Sequence, residues 1–130
     1  TYIKRYGNLI FIGERAEISD VAELGACLEE SFSSLKLMGI ECALTAPAGE
    51  RIYVQDAVRI YSFFESIVEA CVNSIQFMWV KIRPCGEELI VCMEAESEAN
   101  LSSFFDKAEK GECEDGVWKF TFTVKKAGEK

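Results

Sequence analysis

The chain has 130 residues, 49% of them hydrophobic, which is the size and composition of one domain with a sizeable core. Its formal net charge of −8, with no basic run and no Lys/Arg stripe interleaved with aromatics, lacks the electrostatic footprint of a nucleic-acid binder and argues against anionic lipid as well. Histidine is absent, so Ser-His-Asp and Cys-His chemistry and any phosphoacceptor histidine are excluded within the chain.

The six cysteines, Cys27, Cys42, Cys71, Cys85, Cys92 and Cys113, form no C-x-x-C pair, and with no histidine neither a zinc knuckle nor a thioredoxin-like site fits. Most fall on apolar faces or beside turns, and reduced thiols in a cytoplasm are expected. No apolar run approaches the ~20 residues needed to span a bilayer. No signal peptide is legible, and the chain is expected to be soluble without direct membrane contact.

In chain order, Tyr2–Glu14 reads as a short helix with Ile3, Tyr6 and Ile10 on one face and Gly7 weakening its middle. A chain that opens inside a helix is expected to be a piece of a longer protein. Asp20 with Glu23 three residues on predicts a capped start for a long helix carrying Val21, Leu24, Leu28, Leu35 and Met38, stopped by Gly39. Ile40–Ala46 alternates as a half-buried strand that ends at the Pro47-Ala48-Gly49 turn.

Asp56 opens a second long helix to about Ser74, with a wide apolar surface that includes Val58, Tyr61, Ile67, Val68, Cys71, Val72 and Ile75, so it packs on more than one side. Phe77–Ile82 and Glu88–Glu94 read as a β-hairpin joined by the four-residue connection Pro84–Glu87. Ser97 is a fair cap for a short helix carrying Leu101, Phe104, Phe105 and Ala108 and ending at Gly111. Asp115-Gly116 turns into a strand, Val117–Val124, with Trp118, Phe120, Phe122 and Val124 on one face; Lys125–Lys130 reads as a solvated tail. Two long helices and at least four strands arrange most economically as an α/β (α+β) two-layer sandwich, a mixed sheet with helices packed on one face.

This element order, with the hairpin directly after the second long helix, resembles the ATP-binding domain shared by histidine kinases, gyrase and the Hsp90 chaperones. Tyr2-Ile-Lys-Arg-Tyr-Gly-Asn-Leu9 also resembles the end of a dimerisation helix and linker, and Leu28–Ile40 looks like that family's first helix passing into a strand. The resemblance implies a Bergerat-type ATPase fold. Residues 1–15 would be the upstream dimerisation helix and linker, and residues 16–130 the histidine-kinase-like ATPase domain of a bacterial two-component sensor. It further implies ATP and Mg²⁺ as cofactors and a cytoplasmic location. As partners it implies the upstream dimerisation domain of the same protein, a homodimer in full length, and a response regulator.

On the family's second long helix a Glu assists phosphoryl transfer and an Asn one turn on holds Mg²⁺. Glu69-Ala-Cys-Val-Asn73 matches that i, i+4 spacing, which makes Glu69 the implied catalytic residue and Asn73 the implied metal and nucleotide ligand. Aligning by the distance to the next strand instead moves the two roles to Ser66 and Ala70, which bind no metal. Glu69 and Asn73 then read as ordinary polar residues at a helix end.

The family's adenine-binding Asp and its alternating glycines correspond to Met93-Glu-Ala-Glu-Ser97. Glu94 or Glu96 is the implied substitute, the alternative being a solvated charged pair at a strand end, and no glycine follows until Gly111. A long glycine-rich lid has no room before the last strand, and Phe104 and Phe105 are expected to cover the sheet where adenine would lie. Two functions follow from the resemblance. One is an ATPase domain that phosphorylates a histidine elsewhere, by positioning and charge neutralisation. The other is a pseudo-ATPase scaffold that signals through protein contacts.

Overall fold

The computed structural model describes residues 18–127, together with the backbone of two short strands nearer the N-terminus, β1 (Arg5–Tyr6) and β2 (Leu9–Ile10). These pair antiparallel, Arg5 opposite Ile10 and Tyr6 opposite Leu9, so the helix expected over Tyr2–Glu14 is corrected there. The rest of residues 1–15, assigned above to a dimerisation helix and linker, lies outside the described residues.

A second small ribbon pairs β3 (Ile18–Asp20) with β5 (Arg51–Tyr53) and positions the two long helices, α1 (Val21–Leu37) and α2 (Val54–Cys71), each of which begins directly from one of its strands. The Asp20 side chain makes no cap hydrogen bond; instead the Val21 N–H donates to the Glu50 carbonyl, and the Ser19 hydroxyl donates to Glu23. Val21, Leu24, Leu28 and Leu35 are buried as the helical period predicts, but Met38 and Leu37 are exposed because the chain turns at Gly39.

The main sheet has the order β4 (Glu41–Thr45), β6 (Phe77–Cys85), β7 (Glu88–Glu96), β9 (Val117–Lys125), β8 (Lys110–Glu114). The pair β4·β6 is parallel, with α2 in the crossover; the other pairs are antiparallel, so the sheet is mixed as expected. The β6–β7 hairpin closes with two residues, Gly86-Glu87, rather than four. Gly86 takes φ +62°, the left-handed first position that a short hairpin demands, and Pro84 is tolerated because β4 pairs only as far as Lys81.

β8 takes up the place expected for the end of a helix. A 3₁₀ helix, Ser102–Lys107, replaces that helix, and the chain then returns as an edge strand through the Asp115-Gly116 turn, where both residues have positive φ. The tail is corrected too: Lys126 bridges Ile52, and Ala127 is buried.

Both long helices pack on one face of this sheet. Their buried residues, Leu24, Leu28, Phe32, Ile60, Phe64 and Ile67 among them, meet Met78, Val80, Val91, Met93 and Phe120 from the strands. The burial of each large side chain contributes roughly 1.5–3 kcal/mol. Phe63 joins the layers edge-on to Phe104, Phe120 and Phe122, at 5.9, 5.5 and 5.4 Å between ring centroids.

Candidate functional site

Alternation along β7 decides what faces the helices. Leu89, Val91, Met93 and Ala95 are buried toward them, and the next residue in that phase, Ser97, is the one buried polar side chain among the described residues. Its hydroxyl lies 2.7 Å from that of Ser74, in the turn after α2, and accepts the Ala99 N–H at 3.0 Å. The Ser97 N–H donates to the Gly116 carbonyl, the Trp118 indole N–H reaches the Ser97 carbonyl at 3.4 Å, and the Gln76 N–H donates to the Glu96 carbonyl at 2.7 Å. The end of α2, the start of β6, the end of β7 and the Asp115-Gly116 turn are thereby tied together.

Outside this junction is a depression of about 380 Å³, lined by Ser74, Gln76, Glu96, Ser97, Glu98, Asp115 and Gly116. Beneath it, burial pushes the Cys71 thiol above its ordinary value, and a hydrogen bond from Ser97 partly offsets that rise. The thiol donates to the Ile67 carbonyl at 3.1 Å, so it is held as a neutral core group.

The four side chains named from sequence do not converge. Glu69 is exposed on the last turn of α2, and Asn73 is exposed beyond the helix end, which comes at Cys71 with Val72 as its cap. Glu94 and Glu96 occupy the opposite phase of β7 and stand on the face away from the helices. Glu94 lies 3.9 Å from the Lys81 ammonium, a pair that charge and register both favour. Glu96 alone among the four lines the depression. Sequence reasoning missed the Ser74–Ser97 pair; the i, i+2 phase of Val91, Met93 and Ala95 would have pointed Ser97 inward, but nothing in it marks Ser74.

The space above the inner face at this end is filled. Phe104 and Phe105, on the 3₁₀ helix, pack on Phe120 at 6.2 and 5.7 Å, and Phe105 also meets Trp118 at 5.7 Å. Gly111 lies beneath the Phe105 ring so closely that a Cβ there would come 2.3 Å from its Cδ1. Phe104 and Phe105 thus cover the sheet, as expected of them.

The chain matches no protein-family model and no curated protein. Solved structures share its fold. The catalytic domain of histidine kinase ThkA, in a nucleotide-free form, superposes with a TM-score of 0.64 over 87% of this chain and 97% of that one, at 12% identity. ThkA in complex with response regulator TrrA gives a TM-score of 0.60 at 14% identity, over 87% of this chain and 42% of that one. Acinetobacter baumannii histidine kinase AdeS gives 0.58 at 12% identity, covering 88% and 70%. The chain therefore has the histidine-kinase-like ATPase fold, an α/β sandwich with a mixed sheet and helices on one side.

ATP and Mg²⁺ are the ligands this fold implies, and the residues at the junction do not fit them. Its lining includes Glu96, Glu98 and Asp115 but no Lys or Arg, so a triphosphate would meet like charge. No group of three or more Asp, Glu, Cys or His suited to a metal occurs among the described residues. Between Ser97 and β8 there is a hydrogen-bonded turn and a packed 3₁₀ helix where backbone N–H groups would have to cradle phosphate.

Proposed function

We propose that this chain is the ATPase-type domain of a histidine-kinase-like signalling protein of bacterial two-component type, and that it works as a pseudo-ATPase through protein contacts. The observation that carries this reading is the junction: Ser74 and Ser97 bond each other, Phe104 and Phe105 pack on Phe120, and the depression outside is lined by Glu96, Glu98 and Asp115 with no Lys or Arg. Its partners in this reading are an upstream dimerisation domain, which would make the full-length protein a homodimer, and a response regulator, as in the ThkA complex with TrrA. No helix among the described residues is long and apolar enough to cross a membrane, which suits a cytoplasmic domain.

The catalytic reading rests on Glu69 as the phosphoryl-transfer residue, Asn73 on Mg²⁺, and Glu94 or Glu96 on adenine. The two readings separate in a thermal-shift and calorimetric titration with ATP, ADP and a non-hydrolysable analogue, each with and without Mg²⁺. A ligand at 100 times its dissociation constant adds about 2.7 kcal/mol of stability. The expected response is flat. A Mg²⁺-dependent rise that disappears in Asn73→Ala would overturn the pseudo-ATPase reading and restore the catalytic one.

A further inference from the structure

The face of the sheet turned away from the helices has an ordered charge pattern. Reading across strands by register, Lys81, Cys92, Thr121 and Lys110 form one row; the next is Trp79, Glu94, Lys119 and Glu112. On the Gly86 side lies the row of Arg83, Ile90 and Thr123; on the Asp115-Gly116 side lies that of Phe77, Glu96, Val117 and Glu114. Cations thus prevail toward one end of the strands and carboxylates toward the other. A depression of about 360 Å³ spans the two middle rows, with Lys81, Arg83, Lys110 and Lys119 around it and Glu94 and Glu112 on its carboxylate side. Phe77 and Trp79 stack at 4.5 Å on this face and are only half-buried.

We propose that this open sheet face pairs two copies of the chain, face to face, about a two-fold axis lying across the strands between the Lys81 and Trp79 rows. An isologous interface must be complementary to itself, and a face that changes sign along one direction meets that condition when it is turned end for end. On every strand that rotation places a residue of the Lys81 row over one of the Trp79 row. Lys110 then lies over the other copy's Glu112, and Lys81 over its Trp79. One row further out, Arg83 lies over Phe77. These are two ion pairs and two Arg83–Phe77 cation–π contacts per dimer at the ~10 Å separation of packed sheets, and Lys81, which lies 5.7 Å from the Trp79 ring of its own chain, is sandwiched between that ring and the Trp79 ring of the other. The second copy is the occupant that supplies both halves of the pattern at once. Of this face only Glu96 also lines the depression at the end of α2, and it forms none of these pairs, so the surface stands whether or not nucleotide binds.

Sedimentation equilibrium of the whole chain tests it, with Lys110→Glu, Glu112→Lys and their equimolar mixture. Both positions are exposed, and circular dichroism checks that the swaps leave the fold intact. The wild type is expected to pass from monomer to dimer as concentration rises. Each single swap should weaken association at least about tenfold, because two attractive pairs become repulsive. The mixture should recover it, since the carboxylate introduced at position 110 of one chain then meets the ammonium introduced at position 112 of the other. A wild type that stays monomeric to about 1 mM overturns the proposal. So does a dimer indifferent to both swaps, or one that the mixture fails to restore. Arg83→Glu, at the exposed hairpin end, gives an independent check and should weaken the dimer in the same direction.

Discussion

The two faces of the five-stranded sheet come from the same strands, one residue out of step, and they share almost nothing. Toward the helices stand Met78, Val80, Val91, Met93 and Phe120, all with no exposed surface. Away from them stand Lys81, Glu94, Lys119 and Glu112 in cross-strand rows, where the Lys81–Glu94 ion pair is 3.9 Å long. Stability belongs to the first face. The second is free to carry charge pattern, because a solvated ion pair adds little to folding. An acidic residue on β7 reaches the helix layer only in the phase of Ser97, and in that phase this chain has a small neutral hydroxyl.

The largest effect that would break this contrast is on the inner face. Phe120→Ala empties the centre of a cluster made by Phe63, Phe104 and Phe105, with centroids 5.5, 6.2 and 5.7 Å away, and should cost about 3–5 kcal/mol in urea unfolding. A loss below about 1 kcal/mol would mean that the rings do not form a packed unit.

Ser97→Ala comes next. It removes the partner of the Ser74 hydroxyl and the acceptor of the Ala99 N–H, both part-buried, and should cost about 1–3 kcal/mol. The same variant sharpens the reading of the junction. If the two serines close the site by packing, the variant is less stable and still silent toward ATP with Mg²⁺. Gain of a nucleotide-dependent shift would show that a single hydrogen bond was all that shut the pocket.

The contrast between faces was partly legible in the sequence. Strict alternation over Val117–Val124 and the apolar phase of α1 pointed to the right elements, and the two-layer class followed from their number. Short polar strands were not legible. Lys110–Glu114 offers no apolar alternation and becomes a strand only because β9 is there to pair with it, while Ile18–Asp20 and Arg51–Tyr53 are three residues each. For the site, the resemblance points to Glu94 and Glu96 through the place of the family's adenine-binding motif after the hairpin's second strand. Their phase, set by Val91 and Met93, was the stronger signal, and it points them outward.

A smaller effect is expected at alkaline pH. Burial raises the thiols of Cys71 and Cys92 above their ordinary value of 9.0, and the Tyr61 hydroxyl above 10.0. The folded chain keeps these groups neutral where the unfolded chain ionises them. Their contribution is therefore complete below the ordinary values and is lost as pH rises toward the folded ones. The urea midpoint should fall as pH rises above 9.0 and fall further above 10.0. Cys92→Ser should flatten part of that fall; an unchanged profile would mean that the open-face thiol is not desolvated as its burial implies.

The smallest effect should come from Glu94→Gln. The Glu94 side chain is 17% exposed, but that of its partner Lys81 is 44% exposed, so the pair is screened by water and its loss should change stability by no more than about 1 kcal/mol. Because Glu94 stands on the outer face, the substitution should also leave the nucleotide response as flat as in the wild type. A change in that response would mean that the outer face, and not the helix side, meets the nucleotide. Self-association gives the finer comparison. Glu94 lies beside the proposed two-fold axis, over the other copy's Cys92, so removing its charge breaks no intermolecular ion pair. Dimerisation should therefore shift by less than about threefold, well under the loss expected from Glu112→Lys, and an equal loss from the two would mean that net charge, rather than the Lys110–Glu112 register, governs pairing.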